Sequence, residues 1–174
     1  PPNTATWTGD YLVVTQAANG PDLLPLITQK AARGYAVTVH FITTPEVGNA
    51  AAIRTAVENW YASTASWHDH YALLVGDVNV IPFGLKGTTG TDDLYADADG
   101  DGTDDLDPEV LVGRLSINSA ADLANQLAKI LQYENLPVPF FDYARDLLIA
   151  NFQDAPGKYE GCLESVAGYG GYGV

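Results

Sequence analysis

Two kinds of segment alternate along this chain, and the alternation limits the fold more than any other feature. Tyr11-Leu12-Val13-Val14-Thr15 is a short apolar, β-branched run. From Pro21 to Arg33, Leu23, Leu24, Leu26, Ile27 and Ala31 recur at helical spacing, and Gly34 ends the segment. Tyr35 to Phe41 repeats the strand signal, Thr44-Pro45-Glu46 and Gly48-Asn49 mark a turn, and Ala50 to Ala62 repeats the helical one with Ile53, Val57, Trp60 and Tyr61. Tyr71 to Val75 is a third strand and Val110 to Leu115 a fourth. A helix follows over Ser119 to Glu134, with Leu123, Leu127, Ile130 and Leu131 on one face and Asn118 or Ser119 as its cap. Asp146 to Ala150 then reads as a fifth strand and Pro156 to Ala167 as its helix. Strands that are apolar along their whole length, separated by amphipathic helices, predict an α/β three-layer sandwich with a mainly parallel sheet covered on both faces. The strands are expected near residues 11–16, 35–42, 71–76, 110–115 and 146–150.

Charge excludes some functions. The 174 residues carry a net charge of -14 with only eight Lys and Arg, and those are scattered, so neither nucleic acid nor an anionic membrane is an expected partner. With 47% hydrophobic and 17% charged residues the composition is that of a globular domain. No stretch approaches the roughly 20 apolar residues that span a bilayer. The chain contains no methionine and reads as a segment of a longer precursor. Its one cysteine, Cys162, permits no internal disulfide.

The loop ahead of the fourth strand is the most chemically specific stretch. In Asp97-Ala98-Asp99-Gly100-Asp101-Gly102-Thr103-Asp104-Asp105, Asp97, Asp99 and Asp101 stand at relative positions 1, 3 and 5, Gly102 at 6, Thr103 at 7 and Asp105 at 9. A calcium loop spaces its carboxylates this way, with a backbone carbonyl at position 7. Position 12, where an EF-hand places a bidentate glutamate, is Pro108, and an apolar strand follows in place of a helix. The expected ligands are therefore Asp97, Asp99, Asp101 and Asp105, the carbonyl of Thr103, and Glu109 or water. A solvated acidic turn that binds nothing is the other reading of the same residues. Millimolar extracellular calcium would fill such a loop, which points to a secreted or cell-surface protein.

Ligands of open α/β sheets bind outside the carboxyl ends of the strands. There the chain shows Leu73-Leu74-Val75-Gly76-Asp77, Ile81-Pro82, Asp92-Asp93-Leu94-Tyr95-Ala96-Asp97 and Val112-Gly113-Arg114-Leu115, before a helix ending Ile130-Leu131-Gln132-Tyr133-Glu134. This ordered series resembles the gingipain-type cysteine peptidases over about residues 10 to 170. The resemblance implies a caspase-like fold with the first four strands in order 2-1-3-4, bacterial origin, secretion, bound calcium and a Cys/His dyad that hydrolyses peptide bonds. It also implies that residues 1–174 form one α/β domain, the amino-terminal portion of a larger peptidase domain. A first βα subdomain would span about residues 10–137, and a second would begin at 138–174. The family's histidine lies in a Gly-His-Gly turn and its cysteine follows the next strand, both expected beyond residue 174.

No catalytic residue is therefore assigned within this chain. His68 and His70, in Trp67-His68-Asp69-His70, precede the third strand and read as a surface turn at the amino end of the sheet, the alternative being a two-histidine metal site without a third ligand. His40 reads as a buried or capped histidine. Cys162 lies between glutamates on the last helix, where a lone cysteine is usually a small core residue and nearby carboxylates would raise its pKa. Arg114 is expected to brace an acidic loop residue, and Asp77 to hold a turn, cap a helix or join a cation site. Two functions stand against each other: the amino-terminal part of a secreted cysteine endopeptidase, acting on a protein or peptide with a downstream chain of its own precursor as partner, or a non-catalytic, calcium-stabilised binding or structural module.

Overall fold

The computed structural model describes residues 9–64, 68–86, 88–100 and 108–135, together with Gly161 and Ser165. The chain divides into two compact units, Pro1–Leu136 and Pro137–Val174. The expected fifth strand at 146–150 lies outside the described residues. So does most of the last helix, of which Gly161 and Ser165 are helical and joined by a bond from Ser165 Oγ to the Gly161 carbonyl at 2.8 Å.

The first unit holds a parallel sheet of β1 (Gly9–Thr15), β2 (Tyr35–Phe41), β3 (Asp69–Val75) and β6 (Leu111–Leu115), in the order β2-β1-β3-β6. This is the expected 2-1-3-4. Connecting helices are α1 (Gly20–Ala32), α2 (Ala50–Ala62) and, after β6, α3 (Ala120–Glu134). A short antiparallel hairpin, β4 (Gly84–Lys86) with β5 (Thr89–Thr91), interrupts the β3–β6 connection.

Side-chain alternation explains why the strands read as unbroken apolar runs. Leu12 and Val14 of β1, with Ala72 and Leu74 of β3, face Ile53, Val57 and Trp60 of α2. Val13, Leu73, Val75 and Leu115 face the other way, against Leu23 and Leu26 of α1 and Leu123 and Leu127 of α3. Register pairs Leu12 with Ala72 and Val13 with Leu73, so both faces are continuous across the central strands.

Caps set the helix starts. Asn49 accepts from Ala52 N at 3.2 Å ahead of α2, and Ser119 accepts from Asp122 N at 3.1 Å ahead of α3. Behind α1, Gly34 takes φ +97°, which a side chain would resist. The ends of α1 and α3 are tied at Glu134, which accepts from Lys30 Nζ at 2.7 Å and Arg33 Nη1 at 2.9 Å. Among the described residues, no helix is long and apolar enough to cross a membrane.

Candidate functional site

The acidic loop begins where the α2 face of the sheet ends. A 3-10 turn over Asp93–Tyr95 buries Tyr95 completely, and its hydroxyl donates to the Pro82 carbonyl. Burial pushes the Tyr95 pKa up to about 12. With Tyr95 anchored, the Ala96 carbonyl accepts from Glu109 N at 3.2 Å and from Val110 N at 3.1 Å. One backbone carbonyl thus draws together the two ends of the loop, and Ala98 and Val110 are buried beneath it.

That closure brings Glu109 back onto the start of the acidic run. Its Oε2 accepts from Ala98 N at 2.9 Å. One carboxylate oxygen from each of Asp97, Asp99 and Glu109 lies within 4.8 Å of the others. Asp97 is buried and also accepts from Arg54 Nη2 at 3.1 Å, while Arg54 Nε bonds Glu58 at 2.8 Å. Gly100 takes φ +71°, a turn that suits glycine between two aspartates. Asp101, Thr103 and Asp105, also expected as ligands, lie outside the described residues.

The donor set suits a hard cation. Three carboxylates, with no nitrogen or sulfur donor in the group, converge from a closed loop, and oxygen-only ligation of this kind fits calcium better than a thiophilic metal. Arg54 offsets part of the charge through Asp97. Sequence reasoning missed Arg54, since α2 lies far from the loop in the chain and its helical pattern says nothing of where Arg54 reaches.

A second constellation fixes the carboxyl ends of β3 and β6. Arg114 donates from Nε to Asp92 Oδ2 at 2.8 Å, from Nη2 to Asp92 Oδ1 at 2.7 Å and from Nη1 to the Gly76 carbonyl at 2.9 Å. Asp77 Oδ1 accepts from Val78 N at 2.9 Å and Ser116 Oγ at 2.8 Å. These donors, the Val78 amide foremost, hold the Asp77 carboxyl below its ordinary pKa. Asp77 is thus a turn residue; among the described residues it is not part of the carboxylate group.

The histidines are occupied elsewhere. At the amino end of the sheet, His68 Nδ1 meets Asp10 Oδ2 at 2.7 Å, and buried His70 places Nε2 2.7 Å from Thr64 Oγ1. His68 is thus partly buried and bonded to Asp10, and His70 lies buried within β3, not in the surface turn expected, because the parallel strand extends back to Asp69. His40 pairs with Glu46 at 2.9 Å. Cys162 lies outside the described residues.

The family model for peptidase family C25 matches residues 4–162. The chain belongs to peptidase family C25. Its relatives in that family are gingipain-type cysteine peptidases: it is 34% identical to Lys-gingipain W83 of Porphyromonas gingivalis over 143 residues, which are 79% of this chain and 8% of that protein. The C25 chain described here therefore spans about 8% of the length of the curated relatives it matches. Among solved structures, it is similar to the Arg-specific cysteine proteinase gingipain R (RGPB), at TM-score 0.63 and 27% identity over 76% of this chain and 30% of that one. A complex of Porphyromonas gingivalis RgpB pro- and mature domains matches at TM-score 0.63 and 28% identity, over 72% of this chain and 29% of that one. The caspase-like α/β sandwich expected of family C25 is the fold observed.

Proposed function

We propose that this chain is the amino-terminal, calcium-binding part of a secreted cysteine endopeptidase of the gingipain type, with its catalytic histidine and cysteine beyond residue 174. The family match across residues 4–162 carries this reading. Peptide hydrolysis by such an enzyme needs a thiolate within reach of a histidine, and backbone N–H groups for the oxyanion. The described residues serve that chemistry by holding the carboxyl edge of a sheet rigid. Arg114 locks the end of β3 to the loop through Gly76 and Asp92, and Tyr95 with the Ala96 carbonyl closes the acidic loop at its base.

Asp97, Asp99 and Glu109 are the described residues that would hold calcium, with Asp101, Asp105 and the Thr103 carbonyl as further ligands. The ion would neutralise carboxylates that otherwise repel one another. Arg54 orients Asp97 from behind. Extracellular calcium levels support location outside the cell. The substrate is a protein or peptide, and the partner is a downstream chain of the same precursor; the similarity to a complex of pro- and mature domains supports a partner from the same precursor.

The test compares this chain alone with the same chain joined to its downstream reading frame, assayed on peptide substrates with calcium. The isolated chain is expected to be silent, and the longer one to cleave until its cysteine is alkylated. Cleavage by the isolated chain that disappears in Cys162→Ala overturns the assignment of the dyad. Silence of both, with calcium still raising the melting temperature, identifies a non-catalytic module.

A further inference from the structure

An open sheet ends in strands paired on one side only, and natural proteins blunt such edges with charge, proline, a bulge or short length. Among the described residues those strands are β2 and β6. β6 has five residues and carries Arg114. β2 has seven, with no Lys, Arg, Asp, Glu or Pro among them, and its register on β1 runs unbroken from Tyr35 to Phe41, without a bulge. Its His40 is bonded to Glu46. Ala36, Thr38 and Phe41 are exposed, Phe41 at 46%. In a chain of net charge -14, this is a strip along which two acidic copies meet without setting like charges against each other.

The helix beside this edge is open in the same direction. Leu23 and Leu26 of α1 face the sheet, while Gln29 and Arg33 turn toward α3, where they bond Asn135 and Glu134. At about 100° per residue, Leu24 and Ala31 fall on the opposite flank, away from α3 and toward the free side of β2. Both are exposed, Leu24 at 59%. α1 also carries Asp22 in its first turn and Lys30 in its last. A copy running antiparallel therefore sets opposite charges and opposed helix dipoles side by side, whereas a parallel copy would set like ends together.

We propose that two copies of this chain pair antiparallel along β2, about a twofold axis through Thr38, so that the sheet of one continues into the other. This register uses the whole strand: Thr38 meets the partner's Thr38, Val37 the partner's Val39, Ala36 the partner's His40 and Tyr35 the partner's Phe41. Cross-strand pairs of these types are favourable, and no like charges oppose. On the α1 face, Leu24 and Ala31 of the two helices cover each other. Pairing uses up β2 on both copies, so the assembly closes at two. A seam of seven residues is about 23 Å long and buries less than a permanent dimer needs, which makes the association weak and concentration-dependent. The pairing is independent of whether the chain supports peptidase activity.

The experiment is sedimentation velocity on the chain from about 1 μM to about 500 μM, the range of weak association. A reversible shift from monomer to dimer is expected. Thr38→Lys sets two ammonium groups opposite each other at the axis and should weaken association roughly tenfold, with a melting curve overlaying wild type because Thr38 is exposed. Leu24→Gln should weaken it too, and Thr55→Lys, on the exposed face of α2, should not. A mixture of Thr38→Lys and Thr38→Glu should form a heterodimer tighter than either variant forms with itself, a rescue that only a seam with Thr38 opposite Thr38 gives. A chain that stays monomeric throughout overturns the proposal. So does a dimer as tight in both Thr38→Lys and Leu24→Gln as in wild type, a mixture without rescue, or growth beyond two copies.

Discussion

Arg114 grips Asp92 by both carboxylate oxygens, at 2.8 and 2.7 Å, while its third nitrogen donates to the Gly76 carbonyl. One side chain on β6 therefore joins the end of β3 to the loop that leads into the carboxylate group. The pair is partly buried, with side-chain exposures of 14% and 28%, so solvent screening weakens it less than a surface pair.

Arg114→Lys keeps the charge but loses the planar fork. A loss of about 2 kcal/mol in urea unfolding is expected, the scale of charge-assisted hydrogen bonds. Asp92→Asn should cost a similar amount, and the double variant less than the sum of the two. Additive losses would mean that the two residues act separately.

Tyr95 links burial to alkaline stability. Its pKa rises from 10.0 to about 12 in the fold, so between those values the unfolded chain ionises while the native phenol does not, and stability falls as pH rises through that window. Tyr11, likewise pushed up to about 12 by burial, adds to the fall. Tyr95→Phe should cost about 1 kcal/mol at neutral pH, for the bond to Pro82, and flatten the alkaline decline. An unchanged decline in melts between pH 9 and pH 11 would contradict this.

The sheet was legible because Leu12 and Leu74 are buried on one face while Val13 and Val75 are buried on the other, so each central strand spells an apolar run. Asn49 and Ser119 were readable as caps or turn residues from type and position. The β4–β5 hairpin was not, since three residues per strand are too few to show a period, and Phe83 and Leu85 are exposed. An acidic partner for Arg114 was expected, but its identity as Asp92 depends on the path of the intervening loop. The Asp10–His68 bond arises from parallel register, which sets Gly9 beside Asp69, and no local pattern encodes it.

His70 makes the amino end of the sheet sensitive to acid. Burial lowers its pKa, outweighing the nearby Asp10 and Asp69 carboxylates, which act to raise it, while His68 acts with burial. Thr64 Oγ1 donates to the Tyr61 carbonyl at 2.6 Å, so it accepts from His70 Nε2–H. Because the unfolded histidine takes up its proton first, stability present at neutral pH declines as pH falls below about 6.5 toward the lower native pKa. His70→Gln should shrink this decline relative to wild type in melts from pH 8 to pH 5. An identical pH slope in the two proteins would rule His70 out as its source.

The carboxylate group yields the sharpest contrast, because its members are held differently. Glu109 is held within the loop by the Ala98 amide, whereas Asp97 is buried and bonded to Arg54. If calcium binds here, the wild-type melting temperature rises with the logarithm of calcium above the dissociation constant, about 1.4 kcal/mol per tenfold excess. Asp99→Asn should abolish most of that rise while leaving the melt in chelator unchanged or slightly higher, since like charge has been removed. Asp97→Asn should lose the rise and also lower the melt in chelator, because Arg54 is left partly buried beside a neutral amide. Calorimetry without calcium heat, together with a wild-type melt that ignores calcium, would reduce the loop to an acidic turn closed by Tyr95 and the Ala96 carbonyl.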